Sequence, residues 1–107
     1  MAVAEIIVNA NSGGGAEPTY IMGSVNDGQT FTYTFTRSGK HIVAICSSES
    51  WTQVKLNGGT AMSVTLYGGQ RSFGLYVTDE FDANVGDTLT IYGVTGWESG
   101  HGYCIVD

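Results

Sequence analysis

The side chains able to do chemistry in this chain are few and scattered. His41 lies near Ser47, Ser48 and Ser50, the residue types that a nucleophile and its base require. No G-x-S-x-G elbow frames those serines, and a short polar loop explains them equally well. Asp79, Glu80 and Asp82 crowd one stretch, where paired carboxylates could act as acid and base or hold calcium. Calcium takes about six to eight oxygens, and EF-hand spacing is missing, so an acidic surface loop is the simpler reading. Cys46, Cys104, His41 and His101 show neither CxxC nor HxxxH spacing, which leaves no zinc site and no cofactor to expect. Both cysteines sit in apolar, strand-like surroundings; a disulfide between them is possible, but nothing suggests export, and buried thiols are the expectation. The densest cluster is Trp97-Glu98-Ser99-Gly100-His101-Gly102-Tyr103. It reads either as a recognition loop, with Glu98 and His101 paired and pH-responsive, or as a hairpin whose Trp97 folds over the core. The glycines at 13–15 and 68–69 are not phosphate loops, because neither is followed by Lys-Ser/Thr and a helix.

Strands must position these groups. Thr30-Phe31-Thr32-Tyr33-Thr34-Phe35-Thr36 alternates without a slip, and strand side chains point to opposite faces with period two. Phe31, Tyr33 and Phe35 therefore share a buried face, and four threonines share the other. An ice-binding use of those threonines would need the array repeated on a neighbouring strand, and no other segment repeats it in sequence. About eight strands are expected, near 3–9, 19–23, 29–36, 41–46, 51–56, 61–67, 70–77 and 87–94, with a last one at 103–107. Residues 1–18 read as an N-terminal strand followed by a glycine-rich flexible loop.

Register can be argued from Trp51 to Val77. A two-residue turn at Gly68-Gly69 pairs Val64 with Phe73 and Met62 with Leu75 on the buried face. Placing Val54 opposite Met62 requires an odd loop, and Asn57-Gly58-Gly59 fits one with a bulge. The result is a three-stranded meander with Trp51, Gln53, Lys55, Ala61, Ser63, Thr65, Ser72, Gly74 and Tyr76 on its outer face. Trp51 and Tyr76 then flank a polar floor at roughly 16 Å, a platform for a sugar chain or a neighbouring protein. The alternative is that Trp51 is covered by loops or by the N-terminal segment. Phe31, Tyr33, Phe35, Val54, Met62, Val64, Phe73, Leu75, Val77, Leu89 and Ile91 should form the core.

The 107 residues make one domain (1–107), and 16 glycines with a single proline suit short strands joined by tight turns. The fold class expected is an all-β antiparallel sandwich, jelly-roll or Ig-like. A net charge of −6 argues against nucleic acid. Arg37, Lys40, Lys55 and Arg71 fall in the middle third, and only acids follow, an asymmetry that could drive head-to-tail association or simply keep the surface solvated. The first residues lack a basic n-region and no stretch approaches a membrane span, so the chain reads as a cytoplasmically made product with no membrane partner.

Asn84-Val85-Gly86-Asp87-Thr88-Leu89-Thr90-Ile91 resembles the glycine–aspartate turn and strand of Ig-like and jelly-roll sandwiches. The segment from Phe31 to Ile45 resembles the strand–turn–strand unit of phage tail and capsid accessory domains, and of carbohydrate-binding modules. The resemblance implies a non-enzymatic accessory protein of a phage virion, decorating the capsid or sitting on the tail, made in the host cytoplasm. Its partners would be a capsid or tail protein and further copies of itself. Trp51, Tyr76, Trp97, His101 and Tyr103 are the candidate binding residues. The alternative is a glycan-binding module using the same aromatics; a hydrolase acting through Asp79, Asp82 or His101 is a third class.

Overall fold

The computed structural model describes residues 19–47, 51–95 and 100–107. Within them the chain is an all-β sandwich of nine strands in two antiparallel sheets, with no helix. The strands are β1 (Tyr20–Asn26), β2 (Thr30–Thr34), β3 (Gly39–Ser47), β4 (Thr52–Leu56), β5 (Val64–Gln70), β6 (Phe73–Thr78), β7 (Phe81–Ala83), β8 (Thr88–Gly93) and β9 (Gly100–Val106). The larger sheet runs β1-β9-β3-β6-β5, with β7 added to the start of β3; the smaller runs β2-β8-β4. The strand expected at 3–9 lies outside the described residues. The short β7 was not anticipated.

Between the sheets lie Val25, Phe35, Val43, Ile45, Val54, Tyr76, Leu89, Ile91 and Ile105, all buried. Phe31 and Tyr33 pack against them, as the alternation on β2 requires. A second cluster of Ile42, Ala44, Val77 and Val106 occupies the outer side of the larger sheet. That sheet is therefore apolar on both faces, and β3 reads as a nearly continuous apolar run, not an alternating one.

This two-faced sheet accounts for the main departures from expectation. The β5–β6 turn is Arg71-Ser72, not Gly68-Gly69, since Gln70 pairs with Phe73. A bulge between Leu66 and Gly68 then sets Leu66 opposite Tyr76 and Val64 opposite Thr78. On β6 it is Tyr76 that points into the core and is 1% exposed, whereas Phe73 stands 56% exposed. Gly74 makes the tight strand possible, because a Cβ there would lie 2.5 Å from Leu66 Cδ1 and 2.6 Å from the Gly68 carbonyl oxygen.

The meander also divides. Strand β4 pairs with β8 in the smaller sheet, while β5 and β6 belong to the larger one. Asn57 and Gly58, both at positive φ, form a two-residue turn closed by Gly59 N–H donating to the Leu56 carbonyl. Met62 N–H still donates to the Val54 carbonyl at 2.8 Å, so the expected Val54–Met62 opposition holds before the chain crosses to the other sheet.

Candidate functional site

The candidate binding residues that lie among the described ones, Trp51, Tyr76, His101 and Tyr103, do not form one surface. Tyr76 is a core residue; its hydroxyl donates to the Arg71 carbonyl at 2.8 Å and ties down the β5–β6 turn. The proposed floor between Trp51 and Tyr76 therefore does not exist. Tyr103 lies on β9 opposite Gly23 of β1, where the missing Cβ leaves room for its ring. It stacks on Phe31 across the sandwich at 4.8 Å between centroids, and burial raises its hydroxyl pKa. Trp97 lies outside the described residues, as does Glu98. Trp51 is half-buried just before β4, and its carbonyl accepts from Val94 N–H.

His101 is fully buried and joins three segments. Its Nε2 lies 2.7 Å from Asp27 Oδ1, and its Nδ1 lies 2.9 Å from Thr52 Oγ1 and 3.4 Å from Ser47 Oγ. One neutral tautomer satisfies this geometry: Nε2–H donates to the carboxylate and Thr52 donates to Nδ1. The hydroxyl–imidazole–carboxylate order is that of a nucleophilic relay, but Thr52 and Ser47 are themselves buried. The arrangement ties the β1–β2 turn to the end of β3 and the start of β4. The ring is covered by Gly93, where a Cβ would sit 2.6 Å from His101 Cδ2.

His41 is likewise structural. Its Nδ1 and Nε2 lie 2.9 Å from the carbonyls of Val106 and Arg37, and its ring packs 4.2 Å from that of Phe35. The end of β9 is held by Asp107, whose carboxylate accepts from the Tyr33 hydroxyl and from the Thr36 hydroxyl and N–H, while Arg37 donates to the Asp107 carbonyl. Burial alone would raise the Asp107 carboxyl, but the Thr36 and Tyr33 donors outweigh it and hold it below its ordinary value.

Among the described residues no group of three His, Cys, Asp or Glu could hold a metal. Cys46 is exposed, contrary to expectation, and Cys104 is half-buried; both are free thiols on neighbouring strands, Cys46 opposite Gly102 and Cys104 opposite Ala44. With Met22, Ala44 and Leu75 they line a shallow open depression on the outer face of the larger sheet.

The smaller sheet presents a different surface. Register places Thr30 beside Tyr92 and Tyr92 beside Gln53; the next rank is Thr32, Thr90 and Lys55; the third is Thr34 and Thr88. The threonine row of β2 is thus continued on β8. Sequence inspection missed this because Thr88 and Thr90 lie more than fifty positions away and only pairing brings them alongside. Thr36, expected in the same row, instead turns to Asp107. No family model, curated protein or solved structure matches the chain.

Proposed function

We propose that this protein is a non-enzymatic structural accessory of a phage particle, attached to the capsid or tail and associating with copies of itself. The observation that carries the reading is the outer face of the larger sheet. Met22 is 72% exposed there, next to Cys104, and Phe73 projects near Leu75 and Cys46. Apolar side chains grouped around an open depression favour a partner surface over water, at roughly 25 cal/mol for each Å² covered. Two of the titratable side chains that suggested catalysis from sequence, His41 and His101, are engaged in structural hydrogen bonds.

Mass spectrometry of gradient-purified particles from cells that express the protein tests the virion assignment. Recovery at a stoichiometry comparable to the coat proteins supports it, and absence from the particles overturns it. Light scattering from micromolar to hundreds of micromolar tests self-association separately. A defined closed oligomer that Met22→Lys combined with Phe73→Lys converts to monomer is the expected result.

A further inference from the structure

The outer face of β2-β8-β4 has properties that assembly through the opposite sheet does not use. Its eight outward positions are Thr30, Thr32, Thr34, Thr88, Thr90, Tyr92, Gln53 and Lys55. They form ranks ~4.8 Å apart across the strands and ~7 Å apart along them. None is a carboxylate, although the chain carries ten acidic residues against four basic ones. Lys40 pairs with Asp82, Arg37 donates to Asp107, and Arg71 also has a partner. Among the described residues, the Lys55 ammonium alone of the four basic groups has neither an ion pair nor a hydrogen bond. Among the described residues, the side chains of Gln53, Tyr92, Thr30, Thr32 and Thr34 likewise make no hydrogen bond.

We propose that this face binds an extended acidic polysaccharide. The half-exposed Tyr92 ring offers an apolar body against which the C–H face of a sugar ring can lie. Around it, hydroxyls and the Gln53 amide both donate and accept, matching a chain of hydroxyl groups. Lys55, in the middle rank beside Thr90, supplies the single positive charge for a sugar carboxylate. Because the protein is net negative, attraction of an anionic polymer must be local to this face. The proposal is independent of the particle assignment.

Affinity electrophoresis of the full chain through gels containing alginate, with dextran gels as the neutral comparison, tests it. The expected result is retardation in alginate that exceeds that in dextran and weakens with salt. Lys55→Gln and Gln53→Ala, both surface changes that leave the core untouched, should each weaken apparent affinity, Lys55→Gln by about tenfold. Phe73→Ser on the opposite sheet should leave it unchanged. Absence of retardation in alginate, polygalacturonate and hyaluronate gels overturns the proposal. So does equal retardation by dextran, or retention that survives Lys55→Gln. If Lys55→Gln dissolves an oligomer without affecting polysaccharide, the face is a contact between copies and the proposal falls.

Discussion

At the scale of single residues, the two buried histidines show how little a residue type says about its use. His101 could have served a relay, a pH switch or a recognition loop. Its surroundings make it a fastener among Asp27, Ser47 and Thr52. Replacing it with Ala removes the buried ring that the Thr52 hydroxyl bonds and leaves a cavity in its place, and should cost about 2–4 kcal/mol in urea unfolding. Gly93→Ala, which drives a methyl into the same ring, should cost about 1–3 kcal/mol by the same measurement. Asp107 provides a pH-dependent counterpart. Its carboxyl is lowered in the fold, so its contribution is complete above the unfolded value of about 4 and is lost as pH falls through the folded one. Stability measured from pH 5 down to pH 2 should therefore decline less steeply in Asp107→Asn than in the wild type. An identical slope would show that the Tyr33–Thr36–Asp107 contact adds no pH dependence.

At the scale of elements, strand β6 is the informative case. Phe73, Leu75 and Val77 alternate as cleanly as a core face should, yet pairing with β3, which sets Tyr76 beside the buried Ile45, gives the sandwich interior to Tyr76. Alternation says which residues share a face; it does not say which face turns inward when both are apolar. Paired truncations read the orientation directly. Tyr76→Ala should cost about 3–5 kcal/mol, as a large buried side chain does. Phe73→Ala should stay within about 0.5 kcal/mol. Comparable losses at the two positions would contradict the register. Tyr76→Phe, which removes only the bond to the Arg71 carbonyl, should cost about 0.5–1.5 kcal/mol.

At the scale of the whole molecule, the sandwich separates two surfaces of opposite character, an apolar one around Met22 and Phe73 and a hydroxyl-rich one around Tyr92 and Lys55. Assembly and ligand binding can therefore be dissected by mutation. Met22→Lys with Phe73→Lys should abolish association in light scattering and leave alginate retardation intact, while Lys55→Gln should do the reverse. Sequence alone determined the β class and most strand positions, because period-two alternation and Asn-Gly turns are local properties of the backbone. It also marked Phe31, Tyr33, Phe35, Val54, Leu89 and Ile91 as core or core-packed, since β2, β4 and β8 each have one polar face to contrast with an apolar one. Tertiary structure alone decided that β4 leaves the meander for the smaller sheet, that Tyr76 is inside, and that Asp27 is the partner of His101 seventy-four positions away. The physical reason is common to all three. Each depends on which long-range strands pair and in what register, and in a sheet apolar on both faces the local pattern fits either orientation equally well.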